Sequence, residues 1–163
     1  MAKQTAGDTL VSVEDALKRV PVLTRVVRDV THAYESRRKS KERLEELVVI
    51  SRQFSSCEIQ ETINNLRRQV SEYDQDLDAY DKEIRLLGGI LRDARRGLVY
   101  FYSERESRRI FLVWDPSHPR MVSWHELDES FADRTPVEGR AGVDPHADDE
   151  SEHSATSALD ANE

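Results

Sequence analysis

Two long stretches of the chain place apolar residues at alternating intervals of three and four, the pattern of helices that pack along one stripe. The first stretch has two basic interruptions and comprises Val20, Leu23, Val27, Val30, Tyr34, Arg37, Lys41, Leu44 and Val48. The second stretch has no polar residue at its stripe positions, which are Ile59, Ile63, Leu66, Val70, Tyr73, Leu77, Tyr80, Ile84 and Leu87. Because each stripe must be covered and a short loop near residues 51–55 joins them, the pattern predicts an antiparallel, coiled-coil-like helical hairpin over residues 11–89.

Capping residues and breakers suggest where these helices begin and end. Ser12, followed three residues later by Asp15, predicts the start of the first helix, and Ser55 with Glu58 predicts a capping box at the start of the second. Gly88-Gly89 is expected to stop the second helix. Pro21 lies inside the first run, where it should remove one hydrogen bond, so residues 13–20 are expected to form a separate short segment.

The periodicity changes after the glycine pair. Residues 98–102 and 110–114 are aromatic and β-branched runs separated by a polar turn, and residues 121–124 form a third short run after a Pro-containing break. The middle run is apolar on both faces, which is typical of a central strand. Residues 90–137 are therefore predicted to form a small three-stranded antiparallel β-meander, which makes the fold class α+β.

The acidic charge of the chain is concentrated near its C-terminal end. The whole sequence has a formal charge of −8, but residues 141–163 contain seven acids and no Lys or Arg, which leaves about −1 for residues 1–140. The same segment has one large apolar residue, Leu159, so burial cannot offset its ordering entropy. Residues 138–163 are expected to be a disordered acidic tail, and residues 1–10 a flexible N-terminus.

Cysteine content and hydropathy point to a redox-neutral setting. The single cysteine, Cys57, excludes an intrachain disulfide, and no neighbouring residue suggests a base that would activate it. No apolar run approaches the roughly 20 residues of a membrane span, and the N-terminus has no signal-peptide-like segment. A cytoplasmic location without membrane attachment is expected.

The C-terminal half contains several short motifs with a familiar order. Residues 89–93 (GILRD), 96–101 (RGLVYF), 112–114 (LVW) and 124–126 (WHE), with Phe131 and Arg134 after them, resemble a family of small bacterial proteins known as domain of unknown function 2203. The resemblance covers roughly residues 10–137. Tyr100 stands where that family usually has an acid, Val113 where it usually has a cysteine, and Ser130 and Asp133 where it usually has glycines. The resemblance implies the fold and leaves the function open.

The segment WHELDESFADR, residues 124–134, concentrates the chemistry of the chain. One interpretation is a small-ligand or metal site around Trp114, His125, Glu126 and Arg134, with His125 and Glu129 paired on one helical face. The favoured interpretation is structural. It includes a buried Trp124, a His125 ring nitrogen bound to a backbone carbonyl, a helical turn capped by an acid, and an Arg134 guanidinium paired with Asp93 or Glu126. The sequence indicates neither a catalytic residue nor a particular cofactor.

Basic residues are numerous but mixed with acids. The first helix and the strand region each contain a basic cluster, yet carboxylates are interleaved with both, and the near-neutral charge of residues 1–140 argues against nucleic-acid binding. A non-enzymatic protein-interaction or scaffold module with an unidentified protein partner is therefore favoured. A homodimer is also predicted, because several apolar residues lie off the two stripes, namely Val26, Val49, Ile50 and Leu86.

Overall fold

The computed structural model describes residues 9–120 and 122–137, and these form two long helices followed by an antiparallel sheet. Helix α1 spans Val13–Ser51 and helix α2 spans Cys57–Leu86, and the two pack against each other along the predicted stripes. Within the α1 stripe the basic Arg37 pairs across the hairpin with Asp74 on α2. The predicted helical hairpin is confirmed.

The helix starts follow local capping chemistry. The Ser12 hydroxyl accepts a hydrogen bond from the Asp15 backbone N–H at 3.1 Å, as predicted. The second cap is Ser56 rather than Ser55, since the Ser56 hydroxyl accepts from the Ile59 N–H at 3.2 Å.

Pro21 does not interrupt α1, so the predicted separate segment at residues 13–20 is wrong. Proline removes the bond to the carbonyl four residues earlier, which belongs to Leu17, and both residues are exposed. Because water can reach this turn, the missing hydrogen bond leaves no buried orphan. The rest of the helix is retained by its packing.

In the described part of the chain, five short strands form one sheet in sequence order, with every neighbouring pair antiparallel. They are β1 (Ile90–Asp93), β2 (Leu98–Arg105), β3 (Arg108–Trp114), β4 (Val122–Glu126) and β5 (Thr135–Pro136). The three predicted runs correspond to β2, β3 and β4, with β3 in the middle as expected. The sequence analysis missed the edge strands β1 and β5. Strand β1 has four residues and an irregular register, and β5 has two residues, so both are too short to show a period.

The main core lies between the sheet and the end of the hairpin where α1 begins and α2 finishes. Val27 and Val30 of α1 are buried with Phe101 and Trp114 of the sheet. Val26, which lies off the predicted stripe, is also buried there because the sheet covers a second side of α1. Val26 is therefore not available for the predicted dimer surface, whereas Val49, Ile50 and Leu86 are exposed.

Glycine permits the tight junctions around this core. Gly88 ends α2 with φ +74°, as the sequence predicted. Gly97, in the turn between β1 and β2, has φ +72°, and a Cβ atom there would lie 2.3 Å from Val27 Cγ1. The Arg19 guanidinium donates to the Leu87 carbonyl at 2.7 Å, which ties the start of α1 to the end of α2.

The predicted acidic tail at residues 138–163 lies outside the described residues, as do residues 1–8 of the predicted flexible N-terminus. Neither helix in the described part of the chain combines the length and the apolar character that crossing a membrane requires.

Candidate functional site

Strand alternation divides the residues that the sequence grouped together. In the sheet register, Trp114 is opposite Val99 and Val122, which belong to the core beneath the hairpin. His125 is opposite Phe111, on the other side of the sheet. We call these the inner face and the outer face. Because neighbouring residues of a strand point to opposite faces, Trp124 and Glu126 on β4 point inward while His125, which lies between them in sequence, points outward.

Both tryptophans lie on the inner face, and their contacts there are structural. Trp114 is fully buried, and its indole N–H donates to the Pro119 carbonyl at 3.2 Å. Trp124 is half-buried against the core, and the Arg105 guanidinium carbon lies 4.6 Å from its ring centroid. The burial predicted for Trp124 is thus partial, and neither indole faces the same space as His125.

His125 is buried among aromatic rings on the outer face. It is 3% exposed, and its ring centroid lies 5.3 Å from that of Tyr100 and 5.6 Å from that of Phe111. Its Nδ1 lies 2.7 Å from the Glu126 carbonyl, so the predicted bond to a backbone carbonyl is confirmed. Since a carbonyl only accepts, Nδ1 carries the proton. In the described residues the buried Nε2 has no hydrogen-bond partner.

The predicted pairing of His125 and Glu129 on a helical face is wrong, because His125 lies in β4. The Glu129 carboxylate instead accepts from the Glu126 backbone N–H at 2.9 Å and closes the turn after the strand. Next along the chain, Ser130 and Asp133 form a reciprocal capping box around the short 3-10 helix Phe131–Asp133. Among residues 9–120 and 122–137, no three His, Cys, Asp or Glu side chains are grouped to hold a metal ion.

Arg134 does not pair with either acid predicted for it among the described residues. Its guanidinium carbon lies 3.7 Å from the Phe131 ring centroid, and Nη1 donates to the Phe131 carbonyl at 3.0 Å. Glu126 pairs with Arg108 at 3.3 Å. Asp93 accepts a hydrogen bond from the Arg96 backbone N–H at 3.0 Å. Each predicted partner is therefore engaged elsewhere, and Arg134 is held by an aromatic ring and a carbonyl.

The outer face contains a pocket that the sequence analysis did not identify. A cavity of about 270 Å³ is lined by Val113, Asp115, His118, Ser123, Arg134 and Pro136. Five of these six residues were not in the candidate cluster, and Arg134 is the exception. The signal available in the sequence was strand alternation, which places Val113 and Ser123 on the face opposite Trp114 and Trp124.

Asp115 is the acidic group of this pocket. Its Oδ1 accepts from the Ser117 N–H at 2.9 Å and from the Ser117 hydroxyl at 2.6 Å, and its Oδ2 lies 3.9 Å from Arg96. Burial raises the pKa of the Asp115 carboxyl. The Ser117 hydrogen bonds and the charges of Arg96 and His118 outweigh it and hold the pKa below its ordinary value. The carboxylate therefore stays ionised beside the guanidinium groups at neutral pH.

Comparison with known proteins identifies a family but no characterised relative. A family model described as "Uncharacterized conserved protein (DUF2203)" matches residues 9–137. No curated protein and no solved structure matches the chain.

Proposed function

We propose that this chain, which belongs to the DUF2203 family of uncharacterized conserved proteins, is a non-enzymatic interaction module that binds an acidic protein partner through the outer face of its sheet. The observation that carries the proposal is the difference in cover between the two faces. The inner face packs on the hairpin, whereas among residues 9–120 and 122–137 it is the segment around Phe131 that packs against the outer face.

The exposed part of the outer face is aromatic. Tyr102 and Phe111 are cross-strand neighbours with ring centroids 4.9 Å apart, and both are half-buried, as is Phe131. Aromatic side chains with partial exposure are enriched at protein interfaces, because they bury a large area with little loss of rotamer entropy. An aromatic sheet face without a second layer is therefore a suitable docking surface.

Charge complementarity selects the partner. Arg92 in β1 and Arg96 in the turn after β1 are exposed, and their guanidinium groups lie over aromatic rings of this face. Arginine at an interface rim favours encounter with a negatively charged surface and discriminates against a basic one. The module is thus suited to an acidic protein surface.

The test is affinity capture from a lysate of the source organism with three immobilised proteins. The wild type is compared with Phe111→Ser on the outer face and with Phe54→Ser in the loop between the helices, where the ring is 69% exposed. Acidic proteins should be retained by the wild type and by Phe54→Ser, and lost with Phe111→Ser. Tyr102→Ser provides a second outer-face variant in case Phe111→Ser melts at a much lower temperature. Retention that survives both outer-face substitutions would refute the proposal.

A homodimer through the far end of the hairpin is a second candidate, favoured by the exposed apolar side chains there. Val49, Ile50 and Phe54 are 59%, 42% and 69% exposed. Sedimentation at about 100 µM should reveal a dimer of micromolar affinity. The wild type should then sediment as a dimer and Ile50→Asp as a monomer. A wild type that stays monomeric at this concentration would exclude such a dimer.

A further inference from the structure

Three guanidinium groups gather around two aromatic rings on the outer face. The guanidinium carbons of Arg96 and Arg134 lie 4.5 Å and 3.7 Å from the Phe131 ring centroid. The guanidinium carbon of Arg92 lies 5.4 Å from the Tyr100 ring centroid. Phe131 packs against the same apolar cluster as Tyr100, so all three charges belong to one patch. A guanidinium stacked on a ring keeps its N–H edge available for another partner.

One of these three guanidinium groups forms an ion pair in the described residues. It is that of Arg96, which lies at the long distance of 3.9 Å from the Asp115 carboxylate. In the part of the chain that the structure describes, Arg92 and Arg134 form no ion pair. Two other acids of this region accept hydrogen bonds from neutral donors, Asp93 from the Arg96 backbone N–H and Asp133 from Ser130. Arg92 and Arg134 therefore keep guanidinium donors that no carboxylate of the described residues uses.

The Tyr100 hydroxyl adds a neutral donor to this patch. Tyr100 is 6% exposed, and within residues 9–120 and 122–137 its hydroxyl forms no hydrogen bond. Burial raises the pKa of Tyr100, and the charges of Arg92, Arg134 and Arg96 offset that rise in part. The hydroxyl therefore keeps its proton at neutral pH and can donate it to an acceptor.

The adjacent cavity limits the size of the ligand. Arg134 lines the cavity of about 270 Å³, together with the Ser123 hydroxyl and the His118 ring. Pockets for drug-sized ligands run from roughly 300 to 1,000 Å³, so this one is suited to a small group. Asp115 on its wall disfavours a ligand with several negative charges spread over the whole cavity.

We infer that Arg92, Arg96, Arg134 and the Tyr100 hydroxyl form an oxyanion-binding site, which we call the arginine site. Its ligand is a single phosphate or carboxylate group, bound by guanidinium edges and the phenol. Planar guanidinium donors match the paired oxygens of either group. The inference rests on the proposed function and deepens it, since such a group is the part of an acidic partner that the module would hold.

The experiment titrates the full chain with inorganic phosphate and, separately, with acetate, while amide chemical shifts are recorded. Sodium chloride keeps the ionic strength constant, because exposed charges are screened within about 8–10 Å at moderate salt. We expect saturable shifts centred on residues 92–100 and 131–134. The tighter of the two probes identifies phosphate or carboxylate as the preferred group.

Matched variants separate a built site from general attraction. Arg96→Gln should raise the dissociation constant about tenfold, which corresponds to the loss of one charge-assisted contact of about 1.4 kcal/mol. Arg134→Lys should raise the dissociation constant by a similar factor, because a lysine keeps the charge but loses the planar fork. Arg109→Gln removes one charge from an exposed position at the opposite end of the sheet and should change the constant by less than about twofold.

Two results would overturn the arginine site. One is binding that falls equally in Arg109→Gln and Arg96→Gln, which would indicate an unspecific charge effect. The other is the absence of saturable shifts with both probes. If partner capture still depended on Phe111 in that case, the arginine site alone would fail and the proposed docking face would stand. If the anion bound saturably but partner capture did not change with Phe111→Ser, the arginine site would stand and the docking face would be refuted.

Discussion

The two faces of the sheet are formed by the same strands but differ in what covers them. On the inner face, Phe101 and Trp114 are fully buried beneath the hairpin, as the cross-strand neighbours of other apolar residues. On the outer face, Tyr100 and His125 are also buried, but the cover comes from a short 3-10 segment and from arginine side chains. A face that must bind helices needs apolar volume alone. A face covered by rings and guanidinium groups retains polar atoms that a ligand can reach.

The largest expected difference between the faces is in stability. Trp114→Ala should lower the free energy of unfolding by about 3–5 kcal/mol, because the cavity opens in a core closed on both sides. Phe111→Ala on the half-buried outer face should cost less than half of that, since neighbouring rings and water can fill the space. Urea denaturation of both variants measures the difference. Equal losses would mean that the outer face is packed as tightly as the inner one.

His125 provides a sharper test of the outer face. His125→Ala removes a buried ring that contacts those of Tyr100 and Phe111, together with its hydrogen bond to the Glu126 carbonyl, which keeps the Glu129 N–H as a donor. A loss of about 1–3 kcal/mol is expected for the lost packing and hydrogen bond. His118→Ala, on an exposed turn, is the control and should stay within about 0.5 kcal/mol of the wild type. A neutral or stabilising His125→Ala would contradict the structural role, because groups kept for function are often held at a cost to stability.

The sequence predicted those parts of the fold that depend on repeated local patterns. The hairpin followed from two stripes of nine positions each, seven of them apolar in the first and all nine in the second, and β3 was identified as central from its apolar character on both faces. Pro21 was misjudged because the carbonyl that it leaves without a hydrogen bond, that of Leu17, lies on an exposed turn. Val26 was misjudged because the stripe describes the contact between two helices, while the sheet covers a further side of α1.

The candidate site was harder to predict because proximity in sequence is a poor guide within a strand. Trp124, His125 and Glu126 are consecutive, but alternation separates the histidine from its two neighbours. The arginine site joins the β1–β2 turn to the segment after β4, more than 30 residues further along the chain. Only the sheet register brings Phe131 and Arg96 together, and no local motif specifies it.

The smallest expected effect concerns Asp115, which links the pocket to the arginine site. Its pKa is held below the ordinary value of 3.8, so it contributes stability that is present above that value and lost as the pH falls through the lower, folded-state pKa. Asp115→Asn should therefore lower the free energy of unfolding at pH 7 by about 1 kcal/mol or less, the usual range for a partly solvated carboxylate. The difference from the wild type should shrink as the pH falls below 3.8 and be smallest below the folded-state pKa, where both side chains are neutral. Urea denaturation at pH 7 and at lower pH measures it, with Asp78→Asn on the exposed side of α2 as a control for one lost negative charge. A constant difference at all pH values would mean that Asp115 acts through its shape and hydrogen bonds rather than through its charge beside Arg96.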